Sequence, residues 1–296
     1  MAKKAKLTKK QLQKLKAKEQ AATKPSHNRQ KQYILTEGTP IPPLVDMGVF
    51  TKEGKVAAPM QHKYRQINRF LEMIDDTLDD DVKSLSVVDF GCGKSYLTFV
   101  VYYFLTEIKG IDTKMVGLDL KTDVIAHCQE VADKYGYHNL KFMCGDIGDF
   151  AAKQQAAASD IPKMVISLHA CDTATDYALY HAISMGANMI FAAPCCQHEL
   201  NSQIKTEAVS LLTRYGIVKE RTASLMTDAI RANLVASRGY KTQLMEFVDL
   251  AHTPKNLLIR AVKTQMPAKA RHMYLQEVED MCRIFNLKPL LGELLK

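Results

Sequence analysis

Val87-Val88-Asp89-Phe90-Gly91-Cys92-Gly93-Lys94 is a short apolar, β-branched run that breaks into an acid and two closely spaced glycines. Such a run predicts a buried strand, and glycines at its carboxyl end mark the turn where a doubly wound sheet opens its ligand crevice. Glycine is needed there because a Cβ would keep a ligand away from the turn and the helix start. Spacing sets two nucleotide motifs aside. A phosphate loop needs a glycine five positions before its Gly-Lys pair, where Val88 stands, and a dinucleotide fingerprint needs a third glycine at Tyr96.

Working outward, short β-rich runs alternate with longer helical stretches from Ser84 onward, the pattern of a parallel sheet covered on both faces. The expected strands are Ser86–Phe90, Lys114–Leu118, Lys141–Cys144, Met164–Leu168 and Met189–Ala193, with helices at Ser95–Glu107, Val124–Tyr135, Gly148–Ala157 and Ala174–Met185 between them. Another helical pair follows before Gln243–Val248 and Leu257–Val262, whose connection Asp249–Asn256 is too short for a parallel crossover and predicts an antiparallel hairpin. Upstream, Ile67, Phe70, Leu71, Ile74 and Leu78 recur at helical spacing in His62–Leu78. The expected organisation is a basic arm over 1–32, an extended lead-in and helix over 33–83, the sheet domain over 84–265 and a helical extension over 266–296.

The chain has 296 residues, 47% apolar and 24% charged, enough for one large core. No stretch approaches the roughly 20 apolar residues of a membrane span, and the lysine-rich start lacks the apolar segment of a secretory signal. The expectation is a cytoplasmic protein with no membrane partner. Its seven cysteines are scattered through apolar segments, which favours thiols with no disulfide partner. The formal charge of +8 is concentrated at the start, where residues 1–32 carry eleven Lys and Arg against the single acid Glu19. The remainder is slightly acidic, so attraction of a polyanion such as RNA is expected of the arm rather than of a basic groove.

Asp89-x-Gly91-x-Gly93, followed by Gly117-Leu118-Asp119-Leu120 and Cys144-Gly145-Asp146-Ile147, resembles motifs I to III of class I S-adenosylmethionine (SAM)-dependent methyltransferases. The resemblance implies a Rossmann-like α/β fold, a seven-stranded sheet with helices on both faces, and SAM as cofactor. It implies a cofactor site of Asp89, Gly91, Gly93, Asp119, Leu120, Asp146 and Ile147. In it Asp119 takes the ribose hydroxyls, Asp146 accepts from the adenine amine, and Asp89 favours the positive end of the cofactor. Asp119 and Asp146 could equally cap the helices after them, and the two roles can coexist.

Strand four leads into His169-Ala170-Cys171-Asp172, and strand five into Pro194-Cys195-Cys196-Gln197-His198. This pairing resembles a branch containing bacterial methyltransferases of unassigned substrate, eukaryotic ribosomal RNA adenine dimethylase domain-containing and methyltransferase-like proteins, and tRNA ribose methyltransferases. The resemblance covers Tyr33 to Val262, but residues 1–60 lack the zinc-finger cysteines and histidines of the tRNA enzymes. Methyl transfer needs an aligned acceptor and a place for its proton. His169 is the expected positioner or general base, Asp172 its orienting partner or a substrate contact, and His198 a second candidate.

Lys63 and Gln66, one turn apart on the helix before the first strand, could reach the cofactor or acceptor, or belong to a solvated face. Cys195 or Cys196 could attack a pyrimidine, or meet Cys171, His169 and His198 around zinc, or simply pack beneath the cofactor. No metal is expected, because no Cys-x-x-Cys pair exists and adjacent cysteines on a strand point to opposite faces. The functional expectation is methyl transfer to RNA; a protein or small-molecule acceptor, and a non-catalytic SAM-binding scaffold, remain as alternatives.

Overall fold

The computed structural model describes residues 33–156, 160–168, 170–205, 210–247 and 257–296. The chain divides into two units, 1–36 and 37–296, and of the first only 33–36 are described. The arm over 1–32, His169 and the loop Asp249–Asn256 therefore lie outside the described residues.

The second unit holds a seven-stranded sheet in the order β3-β2-β1-β4-β5-β7-β6. The strands are β1 (Ser84–Phe90), β2 (Asp112–Asp119), β3 (Leu140–Cys144), β4 (Lys163–Ser167), β5 (Met189–Ala192), β6 (Tyr240–Glu246) and β7 (Leu257–Lys263). The first five are parallel, whereas β7 runs antiparallel to both β5 and β6. Each expected strand is present, with ends shifted by up to three residues, as is the antiparallel pair. Because the chain passes from β3 at one edge to β4 beyond β1, the carboxyl ends of β1 and β4 flank the topological switch point.

Helices α2 (Gln61–Asp75), α3 (Tyr96–Tyr103), α4 (Thr122–Lys134), α5 (Ile147–Ala156) and α6 (Thr173–Ser184) connect or flank these strands. They are preceded by the short α1 (Pro42–Asp46), where an extended lead-in was expected. Proline preset for the first helical turn explains it, since a missing N–H is harmless there. Among the described residues, three helices rather than a pair precede β6: α7 (His198–Gln203), α8 (Ser210–Thr213) and α9 (Gly216–Ser237). The C-terminal extension is α10 (Ala268–Phe285) and α11 (Leu290–Leu294). Helix α3 passes into a π turn at Phe104–Ile108 instead of running on as an α-helix. There Thr106 Oγ1 donates to the Tyr102 carbonyl at 2.9 Å, a side-chain bond that competes with the helical ladder.

Strand alternation sorts the core into two layers. Val88, Phe90, Ile190 and Ala192 pack with Leu179, Leu234 and Val235 on one face. On the other, α2 buries Ile67, Phe70, Leu71 and Ile74, with Phe70 edge-on to Phe191 at 5.9 Å. Leu78 lies beyond the helix end, where Thr77 Oγ1 donates to the Ile74 carbonyl at 2.7 Å. Each such side chain contributes about 1.5–3 kcal/mol by leaving water, and the two layers hold the strand ends rigidly in place.

Candidate active site

The turn after β1 is built from residues with left-handed backbone: Gly91 at φ 69°, Gly93 at φ 51° and Ser95 at φ 58°. Gly91 and Cys92 donate their N–H groups to the Leu118 carbonyl at 2.8 and 3.1 Å, and Gly93 donates to Asp119 Oδ2 at 2.9 Å. Asp119 Oδ1 accepts from the Lys121 N–H at 3.0 Å. Asp119 therefore closes the two loops onto one carboxylate and retains acceptor capacity, because ionised oxygens have about four lone-pair sites between them. Gly117 lies beneath this junction. A Cβ on it would meet the Phe142 ring at 2.6 Å and Cys92 Sγ at 3.1 Å.

Asp146 Oδ1 accepts from the Gly148 N–H at 2.7 Å, so this acid caps the start of α5. Between Asp119 and Asp146 opens a cavity of about 520 Å³, within the roughly 300–1,000 Å³ of small-molecule and cofactor sites. One wall is Gly91, Leu118, Asp119, Leu120 and Lys121; a second is Gly145, Asp146, Ile147 and Gly148; the third comes from Ala170, Cys171 and α6. Helix α6 contributes Ala174, Tyr177 and His181. Burial holds the His181 imidazole below its usual range, against the pull of Asp146. Reading Ala174–Met185 only as a covering helix missed Tyr177 and His181, although their four-residue spacing puts both on one helical face.

Asp89 is not in this cavity wall. It alternates away from Phe90 toward α3, is 5% exposed, and accepts from Thr98 Oγ1 at 2.6 Å. Burial raises its carboxyl to about 7, with the Thr98 bond opposing and Asp119 reinforcing the shift. Lys63 and Gln66 also lie outside the cavity wall, with Lys63 Nζ over the Tyr96 ring at 4.8 Å. Lys94 lines a separate hollow of about 450 Å³.

Past β4, the partner expected for Asp172, His169, lies outside the described residues, and the described bonds of Asp172 are to backbone. Asp172 Oδ1 accepts from the N–H groups of His198 and Glu199 at 2.9 and 3.2 Å, capping α7 from the neighbouring loop. Its backbone sits at φ 51°, ψ −122°, a conformation costly for a non-glycine residue. Arg231 holds it there, donating from Nη2 to the Asp172 carbonyl at 2.8 Å. This guanidinium is 1% exposed and grips Asp176 through two bonds of 3.0 and 2.6 Å, with Asp228 at 3.5 Å from Nη1. Gln197 bonds Asp228 and accepts from Ser224, which ties the loop after β5 to α9. Sequence reading passed over Arg231, whose signal was the one basic residue in the largely apolar stretch 223–236, with an acid three residues before it.

The cysteines converge. Cys171 and Cys195 place their Sγ atoms 2.9 Å apart, and Cys195 and Cys196 theirs at 3.8 Å. The expectation that adjacent cysteines diverge fails because β5 ends at Ala192, so the alternation of a strand no longer applies. Burial and the neighbouring thiols push Cys195 up to about 12. His198 is exposed, and the described metal-ligand groups within reach of these sulfurs do not include it.

Residues 62–203 match the model of a family described as a methyltransferase domain. No curated protein matches the chain in sequence. Among solved structures it is similar to the bifunctional kinase-methyltransferase WbdD, at 13% identity over 79% of this chain and 44% of that one, with a TM-score of 0.41. It is similar to fibrillarin from Aeropyrum pernix with bound SAM, at 13% identity over 65% and 74% of the chains and a TM-score of 0.39. It also resembles an rRNA methylase from Streptococcus thermophilus, at 13% identity over 68% and 98% and a TM-score of 0.41. The chain spans less than half the length of WbdD.

The residues present fit SAM, the cofactor that the sequence resemblance implies. A left-handed glycine turn leaves room for close approach, Asp119 and Asp146 offer acceptors to the same cavity, and Leu120 and Ile147 supply apolar surface to it. No helix among the described residues is long and apolar enough to cross a membrane.

Proposed function

We propose that this chain transfers a methyl group to RNA from SAM held in the cavity between Asp119 and Asp146. The observation that carries the reading is two carboxylates at neighbouring strand ends lining one cavity with a glycine turn at a topological switch point. Asp119 would take the ribose hydroxyls while keeping its bonds to Gly93 and Lys121, and Asp146 would accept from the adenine amine while capping α5. Leu120 and Ile147 would sandwich the base, and His181 would close the cavity from α6.

When bound, SAM supplies an electrophilic methyl attached to a positive sulfur. The protein must hold an acceptor lone pair in line with that bond, exclude water, and receive the acceptor's proton. We give the last task to His169, which follows Leu168 after the end of β4. Asp172, with Oδ1 committed to the start of α7, holds the two loops together. Asp89, buried and bonded to Thr98, supports the turn from below.

RNA is favoured as acceptor by the eleven cations of residues 1–32, which suit phosphate capture. A protein or small-molecule acceptor is favoured instead by the slightly acidic remainder. Incubating the protein with tritiated SAM and cell lysate, then digesting with nuclease or protease, separates these. Label removed by nuclease is expected; label that survives nuclease and is lost to protease would overturn the RNA assignment. Deleting residues 1–32 should abolish salt-sensitive RNA binding, and unchanged binding would remove the role given to the arm.

A further inference from the structure

Two loops that leave neighbouring parallel strands bring three thiols to one point. Cys171 follows β4, and Cys195 and Cys196 follow β5, with Ser167 and Ala192 paired across the strand ends. All three Sγ atoms lie within 4.8 Å of one another. Cys171 is exposed and forms part of the cofactor cavity wall, while Cys195 and Cys196 are half-buried behind it. Thiols are weak hydrogen-bond partners, so mutual contact offers them little stabilisation.

We propose that Cys171, Cys195 and Cys196 form a site for a thiophilic divalent cation, zinc in particular, set into the wall of the cofactor cavity. Zinc–thiolate bonds of about 2.3 Å in tetrahedral geometry separate the sulfurs by about 3.8 Å. The Cys195–Cys196 distance of 3.8 Å already meets this, and the Cys171–Cys195 distance of 2.9 Å needs to widen by less than an ångström. A disulfide would instead require closure to about 2.05 Å and would leave Cys196 outside the bond. Soft thiolates select zinc over calcium or magnesium. Binding exchanges three S–H bonds for three metal–sulfur bonds and releases three protons to solvent, with no change of oxidation state.

The described residues supply three ligands to the group. Three protein ligands with a further position for water or substrate is the arrangement of reactive rather than purely structural zinc. The lever on the fold is direct, since the cation would join the same two loops that Asp172 joins by capping α7. This site rests on thiol geometry and stands whether or not the acceptor is RNA.

The test uses the full chain, reduced and stripped of metal by chelator, titrated with cobalt(II) as a spectroscopic substitute for zinc. One equivalent should bind with thiolate-to-cobalt charge-transfer absorption, zinc should displace it, and three thiols should become protected from a thiol reagent. Cys195→Ser and Cys196→Ser should each lower affinity at least a hundredfold, whereas Cys282→Ser, on α10, should leave it unchanged. Circular dichroism identifies any variant that fails to fold, and the thiol-protection count on the wild-type chain does not depend on the variants. Absence of charge transfer with all three thiols still reactive would overturn the site. So would a Cys171–Cys195 linked peptide, with two thiols missing, in protein purified without reductant.

Discussion

Replacing Arg231 by methionine tests whether the buried ion cluster holds the two loops of the active site. The guanidinium is 1% exposed and makes two bonds to Asp176, one to the Asp172 carbonyl, and a longer ion pair with Asp228. Methionine keeps much of the volume and removes the charge, which leaves two carboxylates buried without their cation and a strained carbonyl without its donor. Breaking one partner of a buried ion pair costs about 3–5 kcal/mol, or about two to three and a half orders of magnitude in the folded-to-unfolded ratio.

The loss should depend on pH, and the sign follows from Asp228. Burial raises its carboxyl to about 6 even against the pull of Arg231 and Gln197. An acid whose folded value lies above its unfolded one binds more protons when folded, so stability rises as pH falls through that window. Without Arg231 the folded value climbs further, and the deficit should shrink at about pH 5 compared with about pH 7.5. Urea unfolding at both values measures it. Adding Asp176→Leu and Asp228→Asn to the methionine variant should recover most of the loss, because the stranded charges are gone. A loss under about 1 kcal/mol near neutrality, or one undiminished in acid, would refute the reasoning.

Asp119→Asn should weaken S-adenosylhomocysteine binding about 10- to 100-fold by calorimetry, since one acceptor of charged hydrogen bonds becomes a donor facing Gly93; unchanged affinity would remove the ribose role. Asp89→Asn should raise the melting temperature more at pH 8 than at pH 5. Its carboxyl, raised by burial to about 7, is costly to ionise in the folded state, so its contribution falls as pH rises from the ordinary carboxylate range through that value. A larger gain in acid would contradict this. Gly117→Ala should destabilise by about 1–3 kcal/mol in urea, because the new methyl would lie 2.6 Å from the Phe142 ring unless the ring moves.

The sequence by itself determined the sheet and which strand-end residues line the cavity. Periodicity located every strand, and the short hairpin connection required the antiparallel close. Asp119, Leu120, Asp146 and Ile147 were legible because they lie at or just past the ends of β2 and β3, so local order along the chain carries their position. Asp89 was legible as a residue type at a strand end, but which face it takes depends on alternation and on Thr98 of the next helix.

Only the tertiary structure decided the rest. Arg231 meets Asp176 across 55 residues of chain, Asp172 caps a helix 26 residues on, and Cys171 reaches Cys195 across 24. None of these separations is set by helix or strand period. The last two follow from β4 and β5 lying side by side, so that loops remote in sequence leave the sheet next to each other, and the first from the packing of α9 against α6.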